Sequence, residues 1–73
     1  MIYKIDIKII DKESTLVKIL SLTRKLQFII KKMNFEKFDN YSILYLEIKG
    51  NNKFDLLLKS LYTIIGVISV DIL

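Results

Sequence analysis

The stretch IYKIDIKIIDKESTLVKIL, residues 2–20, changes its hydrophobic period halfway along and so decides the fold. In residues 2–10 one face of an extended chain collects the apolar side chains of Tyr3, Ile5, Ile7 and Ile9. A period of two with a charged opposite face predicts a half-buried β-strand. After DKES, where Asp11 or Ser14 can cap a helix, apolar residues recur every three or four positions. This predicts an amphipathic helix to about residue 26, with a buried stripe of Leu16, Ile19, Leu20, Thr23 and Leu26.

The middle of the chain predicts two further strands. Residues 28–38 have extended character, and their imperfect alternation around KKMNF indicates a bulge. The pair Asp39-Asn40 then favours a turn. The stretch SILYLEIK, residues 42–49, alternates cleanly, with its inward positions at Ser42, Leu44, Leu46 and Ile48.

The last third predicts a second helix and a closing strand. Asn52 and Asp55 approximate a capping box, and an apolar stripe runs from Phe54 to Ile65 before Gly66 stops the helix. VISVDIL then closes the chain. The order β-α-β-β-α-β, with right-handed crossovers, predicts an α+β ferredoxin-like sandwich: a four-stranded antiparallel sheet with two helices on one face. Seventy-three residues suffice for one core, so we expect a single domain over residues 1–73.

The composition excludes several classes of function. There is no cysteine and no histidine, which removes disulfides, the usual zinc ligands and the commonest general base near neutral pH. Eleven of the twelve basic residues are lysines, and they are spread among eight acidic residues, unlike the clustered footprint of a nucleic-acid binder. No apolar run is long enough to span a bilayer, and the opening residues do not resemble a signal peptide. We therefore expect a cytoplasmic protein with no membrane or nucleic-acid partner.

Two alternative functional sites, a pair of catalytic carboxylates and an RNA-binding surface, have little support in the sequence. Asp6 and Asp71 are expected on adjacent strands, but solvated carboxylates beside Lys4 and Lys8 explain them without catalysis. An RNA recognition motif has the same topology and stacks bases on outward aromatic residues, yet only Tyr45 is expected to face outward. We expect no catalytic residue and no metal site in this chain, and a small RNA-binding domain stays the weaker alternative.

Exposed apolar positions favour an interface instead. Val17 and Leu22 flank the stripe of the first helix, and Ile29 and Ile43 lie off the core face of their strands. An unpaired strand edge adds backbone groups that extend a neighbouring sheet. We therefore expect a homodimer formed through side-by-side sheets.

The sequence also resembles a known family. The run STLVKILSLTRKLQFIIKKMNF, followed by SILYLEIKG and DLLLKSLYTIIGVISVDI, is similar to an ACT domain, and more narrowly to the short, single-domain small subunit of acetolactate synthase. This resemblance implies a non-catalytic regulatory subunit that binds and activates the large subunit in branched-chain amino-acid biosynthesis. Thiamine diphosphate, magnesium (Mg²⁺) and FAD would belong to that catalytic partner. A stand-alone ACT domain that senses another amino acid is the alternative.

The resemblance also implies where an effector would bind. In valine-sensitive relatives it lies between two paired domains, against an asparagine and a glycine after the first strand and another asparagine in the second strand. The matching residues here are Asp11, Ser14 and Ile29. Asp11 would repel a carboxylate, Ser14 adds a side chain where the backbone must approach closely, and Ile29 removes a polar contact. We expect weak sensitivity or insensitivity to valine. Relatives also carry glycine at the position of Gln27, where the chain leaves the helix in a left-handed conformation.

Overall fold

The computed structural model describes residues 1–10, 13–50 and 52–73, and over these ranges it contains four strands and two helices. In chain order these are β1 (Ile2–Ile9), α1 (Glu13–Lys25), β2 (Ile29–Lys37), β3 (Ser42–Lys49), α2 (Phe54–Leu61) and β4 (Val67–Ile72). The strands form one antiparallel sheet in the order β2-β3-β1-β4. Both helices pack on the same face of this sheet, which confirms the predicted ferredoxin-like sandwich.

The core lies between the helices and the inward positions of the two central strands. Strand β1 buries Ile5, Ile7 and Ile9, and β3 buries Ser42, Leu44, Leu46 and Ile48, as their alternation predicts. Central strands have neighbours on both sides, so their inward faces are sealed while their outward faces stay half-exposed. Ile19, Leu57 and Leu61 complete the core from the helices.

Helix α1 differs from the prediction at its beginning, whereas its predicted stripe does pack on the core, with Thr15 as an additional buried member. Ser14 lies within the first turn rather than before it, so it does not cap the helix, and Asp11 lies outside the described residues. The fully buried positions are Thr15, Ile19 and Thr23, whereas Leu16, Leu20 and Leu26 are only partly buried against the core. Two threonines are tolerated there because their hydroxyls donate hydrogen bonds to backbone carbonyls: Thr23 to Ile19 at 2.8 Å and Thr15 to Ile65 at 3.1 Å.

The end of α1 confirms the prediction at Gln27. Gln27 has φ 67°, the left-handed region. Its amide donates to the Arg24 carbonyl at 2.9 Å, and the Phe28 amide donates to the Thr23 carbonyl at 3.1 Å. These two bonds are those of a Schellman motif, which satisfies the last carbonyls of a helix.

Helix α2 is shorter than predicted at both ends. Its N-cap is Lys53, with no side-chain capping bond, so the predicted capping box at Asn52 is wrong. The helix ends at Leu61, and Ile65 is 83% exposed, so the predicted stripe to Ile65 is also wrong. The reason is non-local: the Thr15 hydroxyl holds the Ile65 carbonyl, and the Ile10 amide donates to the Gly66 carbonyl at 2.8 Å. These bonds draw residues 62–66 into turns instead of a further helical turn.

Candidate functional site

Strand β2 forms an unpaired edge of the sheet and exposes apolar side chains. All of its residues except Ile30 are exposed, and the register shifts between Ile30 and Lys32, at the predicted bulge. Met33 and Phe35 lie opposite Leu46 and Leu44, hence on the helix-covered face, yet they are 48% and 39% exposed because the helices do not reach that far. An open edge flanked by apolar side chains is suited to pairing with another strand.

The opposite edge, strand β4, is covered at one point by Tyr62. The Tyr62 hydroxyl accepts a hydrogen bond from the Val70 amide at 3.1 Å and donates one to the Val70 carbonyl at 3.4 Å. Since Val70 pairs with Ile7 of β1 on its other side, the phenol occupies the backbone groups that another strand would need. The two edges of the sheet are therefore unequal, and β2 is the open one.

The predicted interface residues lie on two faces. Val17 is 61% exposed on α1, and Leu22 is partly buried against the core in the same helix layer. Ile29 and Ile43 belong to the opposite, outer face of the sheet: Ile29 lies opposite Lys49 and Ile43 opposite Lys8. Whether these four residues join in one interface stays a prediction.

Met33 and Phe35 were not among the residues predicted from the sequence to form an interface. They alternate within KKMNFEK, but the bulge just before them changes which face they occupy. Alternation alone therefore did not assign Met33 and Phe35 to a face of the sheet. Two large apolar residues in an edge strand could nevertheless have indicated an interface.

The positions predicted for an effector are not brought together within one chain. Ser14 is exposed in the first turn of α1, and Ile29, 60% exposed, begins β2 just past the far end of that helix. At 1.5 Å per residue, the helix alone separates the two positions by roughly 17 Å. Asp11 lies outside the described residues. A site that contains both Ser14 and Ile29 thus needs a second copy of the chain.

Side-by-side pairing of two β2 strands would bring the two positions to one level. Across a two-fold axis the paired strands run antiparallel, so the beginning of one β2 comes level with the end of the other. The end of β2 in turn lies beside the start of β3 and the end of β1, where Ser42 pairs with both Lys37 and Ile9. Helix α1 begins at that same end of the sheet. Ser14 of one copy and Ile29 of the other would therefore come to the same level of such a pair, with Ser14 in the helix layer and Ile29 on the outer face of the sheet.

The outer face of the sheet carries charged side chains. Asp6 and Asp71 are direct cross-strand partners, as predicted. Lys8 lies 4.3 Å from the centroid of the Tyr41 ring, and Tyr41 stacks on Phe38. Within residues 1–10, 13–50 and 52–73, no group of three or more carboxylates could hold a metal ion.

Two tyrosines bear on the RNA-binding alternative. Tyr45 lies on the outer face opposite Asp6, as predicted. Tyr3 is stacked on Phe54 of α2 at 3.9 Å and is therefore occupied on the helix side. Strand β1 thus offers no outward aromatic residue on which a base could stack.

Neither of the described helices is long and apolar enough to cross a membrane.

The Tyr45 hydroxyl has a pKa shifted from its ordinary value. It donates a hydrogen bond to Oε1 of Glu47 at 3.3 Å. Desolvation raises the pKa of Tyr45 above its ordinary value, and the charge of Glu47, the hydrogen bond to it and the charge of Asp6 raise it further. The group stays protonated at neutral pH, so it contributes a hydrogen-bond donor and no acid-base catalyst.

A model of the ACT domain family matches residues 11–70. The chain belongs to the ACT domain family. ACT domains are regulatory and non-catalytic, and they bind amino acids and partner catalytic domains. That role agrees with the open strand edge that β2 offers.

Solved structures share the fold of this ACT domain. The ACT domain of a GTP pyrophosphokinase from Chlorobium tepidum has a TM-score of 0.83 at 24% identity, over 100% of this chain and 97% of that one. The acetolactate synthase small subunit from Thermotoga maritima has a TM-score of 0.82 at 19% identity, over 99% of this chain and 47% of that one. The C-terminal domain of the MgtC protein from Mycobacterium tuberculosis has a TM-score of 0.77 at 15% identity, with 99% and 84% covered. A search of curated protein sequences found no match.

Proposed function

We propose that this ACT domain is a non-catalytic regulatory subunit that binds and activates the large subunit of acetolactate synthase. The observation that carries the proposal is the open β2 edge, flanked by exposed Met33 and Phe35, in a chain with no described catalytic group. An ACT domain with such an open strand edge can pair with a second copy, and it would regulate the large subunit through direct contacts. The likeness to the small subunit from Thermotoga maritima supports the choice of partner, although this chain spans only about half of that subunit.

Activation requires only differential binding. If the paired ACT domains contact the active arrangement of the large subunit more strongly than the inactive one, they shift its population toward activity. The coupling is reciprocal, so an active-site ligand of the large subunit would also tighten the complex. Thiamine diphosphate, Mg²⁺ and FAD would be held by the large subunit, and this chain would contribute contacts only.

We also propose that valine does not regulate this chain. Ile29, at a position where a polar contact would be needed, exposes an apolar side chain, and Ser14 exposes its side chain in the first turn of α1. A pocket built from these residues offers an amino-acid ligand neither close backbone approach nor a polar partner at β2.

Co-expression with the acetolactate synthase large subunit of the same organism tests the proposal. The two chains should co-purify, and adding this chain should raise the rate of acetolactate formation from pyruvate. A matched control is the Met33→Lys/Phe35→Lys variant, which should remain monomeric and stimulate less. A large subunit that neither binds nor responds to the wild-type chain would refute the proposed function.

A second candidate is a stand-alone ACT domain that senses another amino acid. Membership of the ACT domain family supports it, because ACT domains bind amino acids. A ligand that binds only the folded state raises the melting temperature. A melting-temperature screen against the twenty amino acids would therefore support this candidate by a concentration-dependent rise with one of them.

A further inference from the structure

The helix layer contains a groove of about 580 Å³ between α1 and the turn that follows α2. Its apolar wall on one side comes from Val17 and Leu22, and on the other from Ile64 and Ile65. Leu22 and Ile64 pack against the core and form the floor. Val17 and Ile65 form the rims and are 61% and 83% exposed. The groove therefore displays apolar surface that the described part of the chain leaves uncovered.

The charges along the groove have one sign. Lys18 and Lys25 line it, and both are exposed on α1. They are seven residues apart, so they project from the same side of the helix about 10 Å from each other. The other polar lining comes from the uncharged hydroxyls of Ser21, Ser60 and Thr63. No carboxylate is among the described residues that line the groove.

This pattern specifies the chemistry of an occupant. We propose that the groove binds an amphipathic helical segment of a partner protein, with its apolar side against Val17 and Ile65 and two carboxylates about two turns apart facing Lys18 and Lys25. Recognition of a helix in an apolar groove uses anchors at such spacings. The assignment of that segment to the acetolactate synthase large subunit rests on the function proposed above.

The position and the charge of the groove argue against a second copy of this chain as the occupant. The groove lies over the junction of α1 with the turn after α2, away from the β2 edge at which we propose that copies pair. The chain carries a net charge of +4, and α2, its other helix, has one acidic residue, Asp55. A second copy therefore cannot present two carboxylates at the required spacing along either described helix: α1 has only Glu13.

The first experiment uses a synthetic 15-residue helical peptide with leucines on one side and glutamates seven positions apart. Added to the ¹⁵N-labelled chain, it should shift the NMR signals of residues 17–25 and 60–65. The same peptide with lysines in place of the glutamates should not. Absence of shifts at the groove, or equal shifts with both peptides, would overturn the proposal.

Two double variants then test which groove residues contribute to binding of the peptide. Lys18→Gln/Lys25→Gln should weaken binding of the glutamate peptide about fivefold, as expected for two exposed ion pairs, and should flatten its salt dependence. Val17→Gln/Ile65→Gln should weaken it about tenfold or more, because both rims lose apolar contact. All four positions are solvent-exposed, so the fold should be retained.

A matched control comes from α2. Leu56 is 50% exposed and Lys59 is also exposed, and neither lines the groove. Leu56→Gln/Lys59→Gln removes one apolar and one charged side chain, yet binding of the peptide should stay within twofold of the wild type. An equal loss in this control would show non-specific adsorption and would overturn the proposal.

The large subunit provides the second arm and separates this inference from the proposed function. If the wild-type chain binds and activates the large subunit and the groove variants do so equally well, the groove inference is wrong and the proposed function stands. If the wild-type chain does not bind the large subunit, the proposed function is wrong, and the groove is decided by the two peptides alone.

Discussion

The ring of Phe28 lies directly against the backbone of Gly50, so closely that a Cβ atom at position 50 would overlap the ring carbons Cδ1 and Cε1. Phe28 is only 3% exposed, and Tyr3 packs edge-on against it with ring centroids 6.2 Å apart. The ring therefore has no room to withdraw. Gly50 is required here for close packing at the end of β3.

Gly50→Ala should lower the free energy of unfolding by about 1–3 kcal/mol, as expected for overpacking of a core. Urea denaturation followed by circular dichroism measures the change. The double variant Gly50→Ala/Phe28→Leu should lose less than the sum of its two single variants, because the smaller side chain admits the new methyl group. Additive losses would show that the ring does not cause the effect.

Gln27→Gly should stabilise the fold by about 1 kcal/mol, because glycine adopts the left-handed conformation without the Cβ conflict that glutamine meets. Asparagine should give a smaller gain, and valine a loss. Alanine is the matched control, since it removes the side chain but keeps the Cβ atom, and it should leave stability near that of the parent. A stabilising Gln27→Ala variant would contradict the backbone explanation.

Tyr62→Phe should open the β4 edge. The variant keeps the ring but frees the Val70 amide and carbonyl, which another strand can then bind. We expect species larger than a dimer at high protein concentration in sedimentation velocity, together with a loss of about 1 kcal/mol in stability. Tyr41→Phe is the control, because the contacts of Tyr41 with Lys8 and Phe38 use its ring. Unchanged sedimentation of Tyr62→Phe would show that β4 is closed by other means.

Tyr45 should ionise above the ordinary tyrosine value of 10.0. Because its pKa is higher in the folded than in the unfolded chain, its contribution to stability is complete below about pH 10 and is lost as the pH rises through the folded value. Glu47→Gln should lower the pKa of Tyr45 by removing the charge, although desolvation and Asp6 remain. NMR titration of the tyrosine ring carbons measures both values. An equal or higher pKa in Glu47→Gln would contradict the role of Glu47.

Titration calorimetry of the purified chain with valine should give no measurable heat of binding. The physical reason is the apolar side chain of Ile29 and the side chain of Ser14 at positions where the ligand would need polar or backbone contacts. Ser14→Gly/Ile29→Asn restores the pattern of valine-sensitive relatives at two of the three positions and should raise affinity relative to the wild type. Tight binding of valine to the wild-type chain would refute insensitivity.

The central strands could be predicted because local rules decide them, and the end of α1 because the sequence resembles ACT domains. Alternation in β1 and β3 assigns Ile7 and Leu44 to the core wherever the two strands are packed. The left-handed conformation was expected at Gln27 because relatives carry glycine at that position. Neither result needs knowledge of a distant contact.

The end of α2 could not be predicted from local pattern. Ile64 and Ile65 continue a helical apolar stripe, but the hydroxyl of Thr15, fifty residues earlier, holds the Ile65 carbonyl. A side chain in α1 thus determines where α2 stops. The candidate site was harder still to predict. The bulge before Met33 moves Met33 and Phe35 to a face of the sheet that alternation did not assign. Ser14 and Ile29 are far apart within one chain, so any shared site would need a pair of chains.

The separation of Ser14 and Ile29 by the length of α1 has a consequence for mixed assemblies. In the side-by-side pair that we propose, each pocket would take one half from either chain, and the two-fold axis would make two such pockets. If this chain paired with an ACT domain that keeps polar residues at those positions, one pocket would contain this chain's Ser14 and the other its Ile29. A single altered chain would therefore impair both pockets of the mixed pair. The mixed pair would lose its effector response even though the other chain keeps the polar residues.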